Sequence, residues 1–321
     1  MSDSPLVSIC LVTRNRKEDL RVALSSCRAQ DYEPKELLVF DGASSDGTVE
    51  MVRSEFPEVR LSALDTDPGF PRLRRLSLTE ARGEMAFTMD DDAYFTHGET
   101  LRQAVGQLRV RPEAAVLALP MILAYAPPRL HAKIVPTTTE HPRLGTFTCC
   151  AALLRREAAL TAGGFRDTFS YWKEDRDLSI RLLEHGFSIL LGRTPPLVHR
   201  RHQGRDWKTR FMLDVRAALL FDAILIPHPY MFPRLLVDAL RMTIYRSRLR
   251  DMPGRAVYVA RELRSSFRHK AYRAPVSVKT YRLYRSLPSH GSQAVGNAGV
   301  PPPCGTIDSD RPPTPAGSSA P

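Results

Sequence analysis

Over its first hundred residues the chain alternates between two hydrophobic periods, and few folds accept that alternation. "LVSICLVT" (6–13) and "ELLVFDG" (36–42) are short apolar runs closed by polar residues, the pattern of strands buried on both faces. Between them Leu20, Ala23, Leu24 and Cys27 recur at helical spacing, so "KEDLRVALSSCRAQ" reads as an amphipathic helix. The unit then returns: a helix after "SSDGT", a strand at "RLSAL", a helix over 71–82, a strand at "EMAFTM", a helix at "ETLRQAVGQL" and a strand-like run "AAVLALPMIL". Regular strand, helix, strand order predicts an α/β fold with a mostly parallel sheet flanked by helices on both faces. Ligands of such sheets bind outside the carboxyl ends of the strands. Two places qualify: Asp41, where the second run ends, and Asp90 to Asp92, where the fourth ends.

With 321 residues, 43% hydrophobic and 25% charged, the chain has the makings of one or two folded domains. Five cysteines (Cys10, Cys27, Cys149, Cys150, Cys304) show no C-x-x-C spacing, which argues against a disulfide framework or zinc site and for a reducing compartment. The N-terminus has no basic region ahead of its apolar run, so no signal peptide is expected. The stretch "AALLFDAILIP" from Ala217 carries Asp222 and is about half the roughly 20 residues of a spanning helix, so no transmembrane helix is expected either. A cytoplasmic protein follows from these readings.

Charge is divided unevenly. Residues 1–192 hold 24 Lys+Arg against 27 Asp+Glu, whereas residues 193–286 hold 21 against 6. The basic segment therefore calls for an anionic partner, nucleic acid or an anionic membrane surface. No nucleic-acid recognition motif accompanies it and aromatic residues are sparse, so nucleic acid is not expected. Arg234, Arg241, Arg246, Arg248 and Arg250 are interleaved with aliphatic residues at helical spacing, as in a helix lying on anionic head groups. The alternative is that these helices cover the catalytic part with their arginines toward water.

The triplet "DDD" at 90–92 asks for a countercharge. Side chains alternate along an extended segment, so Asp90 and Asp92 share a face while Asp91 turns away. Two converging carboxylates make a hard-oxygen site suited to Mg²⁺ or Mn²⁺, which in turn suits a diphosphate.

"VSICLVTRNRKEDLRVALSSCRAQDYEPKELLVFDGASSDGT" followed by "DPGFPRLRRLSLTEARGEMAFTMDDDAYF" resembles the nucleotide-binding half of the inverting family-2 glycosyltransferases, which have the GT-A fold. The resemblance covers residues 6–110 and resumes over 145–202. It implies donor contacts from Thr13, Asp41, Arg74 and Asp90, with Arg72 and Arg75 as rivals of Arg74 for the diphosphate. Gly42 and Ala43 depart from the acidic or Asn-Gly pattern common in the family's base-binding loop, and Asp46 reads as a helix cap. "WKEDRDLSIRLLEHGF" resembles the segment that carries the catalytic base, which implies Asp175 as base and Glu174 and Asp177 as acceptor-binding or structural. "PPLVHRRHQGRD" implies a metal set of Asp92, Asp90 and His199, with His202 as the alternate imidazole.

The implied enzyme moves a sugar from a UDP-, dTDP- or GDP-sugar to a glycan or lipid-linked acceptor hydroxyl, with Mn²⁺ or Mg²⁺ as cofactor. The implied organisation is a Rossmann-like GT-A catalytic domain over 1–202 (nucleotide-sugar half 6–110, acceptor half 111–202), a basic helical extension over 203–286 and a disordered Pro/Gly/Ser-rich tail over 287–321. Peripheral attachment to the inner face of the cell membrane is expected. A sugar-nucleotide nucleotidyltransferase would share the sheet and metal, but "LVTRNRKEDL" lacks the glycines of its phosphate loop.

Overall fold

The computed structural model describes residues 4–125, 141–169, 173–201, 207–244, 252–269, 272–290 and 302–305. The first part of the chain folds as its periodicity predicts. Strands β1 (Val7–Thr13), β2 (Lys35–Gly42), β3 (Arg60–Leu64) and β4 (Met85–Asp90) lie parallel in the order β3-β2-β1-β4. Helices α1 (Lys17–Arg28), α2 (Thr48–Glu55) and α3 (Phe70–Glu80) provide the crossovers. Register brings Thr13 beside Asp41 and Val12 beside Asp90, so three strands end at one level.

Side-chain alternation divides the core into two layers. Ile9, Leu11, Phe87 and Met89 pack with Leu20, Leu24, Leu101 and Val105, the last two from α4 (Thr100–Arg109). Cys10 and Ala86, pointing the other way, pack with Leu78 of α3 and with the elements that follow.

The second half of the sheet departs from simple parallel order. Beyond β4 come β8 (Ala152–Arg155), β6 (Ala114–Ala118) and β9 (Ser188–Leu191), and β8 runs antiparallel to both its neighbours. Because β8 is reversed, its start rather than its end lies near the mouth of the sheet, which carries Cys149 and Cys150 there. The run 114–123, expected as one strand, is two. Pro120 cannot donate to a ladder, so β6 stops and β7 (Met121–Tyr125) leaves for a second sheet of order β5-β10-β7. In it β5 (Ala93–Phe95) pairs with β10 (Leu197–Arg201), setting His199 opposite Ala93. Helices α5 (Arg156–Thr161) and α6 (Glu174–Glu184) cover the layer opposite α1.

The basic segment forms α7 (Trp207–Leu225), α8 (Met231–Ile244), α9 (Met252–Arg268) and α10 (Val278–Ser286). They share one apolar cluster with Phe169 and with Ile180 of α6, through Leu219, Ile224, Leu235, Val259 and Tyr281. The apolar stretch from Ala217 is therefore a core helix. Its Asp222 is 2% exposed; burial and neighbouring Asp238 push its carboxyl up to about 7, with Arg234 at 3.8 Å in opposition. No helix among the described residues is long and apolar enough to cross a membrane.

Two pieces of the expected disordered tail are placed against the body, which corrects that expectation for them. Gly145 donates its N–H to the Pro288 carbonyl (2.8 Å), and buried His290 places Nε2 2.8 Å from the Leu119 carbonyl. Farther on, the Cys304 N–H donates to the Phe95 carbonyl at 2.9 Å. Apolar poverty predicts that a segment makes no core; it is silent about main-chain hydrogen bonds. Residues 291–301 and 306–321 lie outside the described residues.

The turn into β4 depends on Gly83. A Cβ there would lie 2.6 Å from the Leu6 carbonyl and 2.7 Å from both the Met85 carbonyl and the Ser8 nitrogen. All three are main chain, so none can swing away. Gly83→Ala is expected to lower unfolding free energy by about 1–3 kcal/mol in urea titration; an unchanged midpoint would contradict the close approach of β1 and β4.

Candidate active site

The three acids at the end of β4 divide as side-chain alternation predicts. Asp91 turns back into the protein, 5% exposed, and accepts a hydrogen bond from the Thr13 hydroxyl at 2.8 Å. Burial and adjacent Asp92 push its carboxyl up to about 7, against Arg16 and the Thr13 bond. Asp90 and Asp92 converge on His199: its Nε2 lies 3.1 Å from Asp92 Oδ1 and 3.6 Å from Asp90 Oδ2. The strand register causes this, since β10 lies against β5 and the Arg200 N–H donates to the Asp92 carbonyl at 2.8 Å.

His199 is buried, and its Nδ1 has no hydrogen-bond partner. Burial opposes the imidazolium, while the Cys150 sulfur and Asp92 favour it, and the net shift is well upward. Ligand atoms of Asp90, Cys150 and His199 all lie within 4.8 Å of one another. Carboxylate oxygens and an imidazole nitrogen around an excess of negative charge fit a divalent cation, and the proximity of His199 to both acids is the observation that favours it. His202, the alternate imidazole, lies outside the described residues.

Arg74 connects this cluster to the start of α6. On α3 it shares the buried face with Pro71, Ser77 and Leu78, while Arg72 and Arg75 point to solvent, Arg75 toward Asp167 at 3.0 Å. Its guanidinium donates to Asp90 and places Nε 3.4 Å from Glu174 Oε1. Burial opposes its charge, but Asp90, Cys149 and Glu174 outweigh it and hold Arg74 firmly cationic. Arg74, expected at the diphosphate, is engaged here by two carboxylates and is 6% exposed.

At the first turn of α6, Glu174 and Asp175 follow Lys173, whose φ of 72° bends the chain into the helix. Burial and neighbouring Asp175 push Glu174 up to about 7. Asp175 is half-buried and its carboxyl is also raised, by burial first, although Oδ1 accepts the Arg176 N–H at 2.7 Å. Asp177 does not belong with them. It is fully buried, paired to Arg181 and 3.7 Å from Arg166, an arrangement that favours the structural one of its two expected roles.

Two residues expected on the donor side have partners within the protein. The Thr13 side chain is fully buried and occupied by Asp91, so it supports the site from behind. Asp41, 1% exposed, accepts from both the N–H (2.8 Å) and hydroxyl of Ser44, closing the loop in which Ala43 takes a φ of 60°. Asp46 behaves as expected of a cap, accepting the Thr48 N–H at 3.1 Å as well as that of Lys17.

Arg16 and Cys150 were not singled out by sequence reasoning. Arg16 reaches Asp92 at 3.5 Å and Asp19 at 3.3 Å, and it lines an open pocket of about 640 Å³ with Asn15, Lys17, Glu18, Asp19 and Asp46. Its place three residues past the first strand was the available signal. Nothing in the spacing of Cys150 could reveal it, because it reaches the site through the reversal of β8.

A sheet of this order, with acids at its mouth and a second small sheet supplying a histidine, is a GT-A fold. Solved structures share it: a mannosyltransferase from Pyrobaculum calidifontis, in complex with GDP-Man and Mn²⁺, has a TM-score of 0.53 at 18% identity over 89% of this chain and 80% of its own. TarS 1-349 of S. aureus in complex with UDP-GlcNAc has a TM-score of 0.57 at 16% identity, covering 81% of each chain. Residues 8–160 match the model for glycosyl transferase family 2, so this part of the chain is a domain of the family-2 type. The O-antigen biosynthesis protein RfbC of Myxococcus xanthus is 24% identical over 228 residues, which are 63% of this chain and 18% of RfbC.

The carboxyl of Glu174 links folding to pH. Its folded value, raised from 4.5 to about 7, means that the native state holds a proton the unfolded chain releases, so this stabilisation is full below pH 4.5 and is lost as pH rises through 7. Glu174→Gln in EDTA should therefore match wild type near pH 4 and exceed it at pH 8 by about 2–3 kcal/mol. Denaturant titrations at the two pH values check this, and a constant difference would refute it.

Proposed function

We propose that the protein transfers a sugar from a nucleotide-diphosphate-sugar to an acceptor hydroxyl with inversion at the anomeric carbon, in polysaccharide, glycolipid or cell-envelope glycan synthesis. The observation that carries this reading is the Asp90–Arg74–Glu174 link, which puts the acid and histidine cluster and the start of α6 on one wall. Asp175 follows Glu174 directly, and burial raises its carboxyl, which makes it a stronger base. It takes the proton of the acceptor hydroxyl; the hydroxyl oxygen forms the new bond to the anomeric carbon as the bond to the diphosphate breaks.

Asp92, Asp90 and His199 would hold a Mn²⁺ or Mg²⁺ ion, whose charge would neutralise the departing diphosphate. The likeness to proteins solved with GDP-Man and Mn²⁺ or with UDP-GlcNAc supports a nucleotide-sugar donor and a divalent ion. Arg74 holds Asp90 and Glu174 in place from behind, and Thr13 does the same for the Asp90–Asp92 turn through Asp91. Asp41 meets the nucleotide once Ser44 releases it. In this reading the catalytic part is 1–202, with the helices over 203–286 as an extension, and the acceptor is presented at the inner face of the cell membrane.

Two variants separate donor binding from chemistry. Release of nucleoside diphosphate is followed over UDP-, dTDP- and GDP-sugars, alongside thermal shift with Mn²⁺. Asp175→Asn should lose roughly 10²- to 10⁴-fold in turnover while keeping the donor-induced shift. Asp92→Ala should lose the Mn²⁺-dependent part of that shift, which for wild type at about 100 times Kd corresponds to roughly 2.7 kcal/mol. Turnover of Asp175→Asn near wild type would remove the base from this account.

A further inference from the structure

Helix α8 wears its apolar residues on the outside. Phe232, Leu236, Val237, Leu240 and Ile244 are each 53–61% exposed, and four of them repeat every fourth residue as one stripe. The inner face already has its partners: Met231 and Leu235 lie in the cluster shared with α7 and α9, and Asp238 accepts from Arg234 at 2.8 Å. Arg234 is thereby turned inward, contrary to the expectation that it faces head groups, and Arg241 is the charged residue left on the outer face.

The outer face continues onto α9. Phe232 stacks on Phe267 at 6.4 Å, and the outward positions of α9 are Val257 (72% exposed), Ala260, Arg261, Arg264 and Arg268. Glu262, the acid of that helix, has a side chain 12% exposed. Among the described residues of α8 and α9, then, the exposed face combines aliphatic side chains with arginines and shows no exposed carboxylate.

We propose that the exposed face of α8 and α9 docks onto an anionic lipid bilayer, with Phe232, Leu236, Leu240 and Ile244 entering the acyl boundary and Arg241, Arg264 and Arg268 meeting lipid phosphates. Charge decides the occupant. A second copy of the chain docking face to face brings arginine onto arginine with no acid to answer it. A bilayer with anionic head groups takes up both components, the apolar stripe in its interface and the cations at its phosphates. Since no described helix is long and apolar enough to cross, the helix pair lies on the surface. This names a partner surface for the reading above, yet it rests on exposure and charge alone and stands or fails apart from sugar transfer.

Full-length protein is sedimented with phosphatidylcholine vesicles with and without phosphatidylglycerol. Binding is expected with the anionic vesicles and is expected to weaken as salt rises. Leu236→Glu/Leu240→Glu and, separately, Arg264→Glu/Arg268→Glu should each reduce the bound fraction at least roughly tenfold, with circular dichroism and Mn²⁺-dependent donor shift unchanged. All four residues are exposed, so folding should survive both changes. Equal sedimentation of both variants with wild type, binding indifferent to phosphatidylglycerol, or a concentration-dependent dimer abolished by Leu236→Glu/Leu240→Glu would each overturn the proposal, the last by assigning the face to a second copy.

Discussion

The buried contact of Arg74 with Asp90 and Glu174 is the interaction on which the site depends. A guanidinium taken this far from water is costly, and two carboxylates are what make it tolerable. In exchange the link holds the end of β4 against the first turn of α6, elements separated by more than eighty residues in sequence. Remove the cation, and Asp90, Glu174 and Asp175 are left as enclosed acids that repel one another. The arrangement therefore acts first as architecture, and the proposed catalytic use would follow from where it places the carboxylates.

Two backbone decisions supply the remaining walls. Reversal of β8 brings the Cys149–Cys150 pair beside β4, and Pro120 diverts β7 into the small sheet that carries β10. In that sheet β10 lies between β7 and β5, and its pairing with β5 sets His199 beside Asp92. The C-terminal helices close the far side through a core shared with Phe169 and Ile180, while α8 leaves its outer stripe uncovered.

Hydrophobic period reveals burial, and that made the first 110 residues readable. The strands 7–13, 35–42, 60–64 and 85–90 and the helices between them follow their apolar spacing closely. The turn of Asp91 away from its neighbours and into the protein was legible for the same reason. Strand direction is not encoded in period, so neither the reversal of β8 nor the second sheet could be read. The choice among Arg72, Arg74 and Arg75 was open to the same spacing rule, since Arg74 lies mid-face, between Leu73 and Ser77 on one side and Pro71 and Leu78 on the other, whereas Arg75 falls at the edge. Resemblance suggested phosphate for it, whereas burial gave it carboxylates. Asp177 has the same history: its place in an acidic helix start pointed to the cleft, and its contact with Arg181 one turn on points it into the core.

His199 and Asp90 come from different sheets, one from the three-stranded and one from the seven-stranded. Neither sheet alone can assemble the pair, so capture of an ion at this place registers that the two have met. Any ligand shared by the two would be coupled by mass action to that junction, and an ion there would act as a clamp on tertiary assembly.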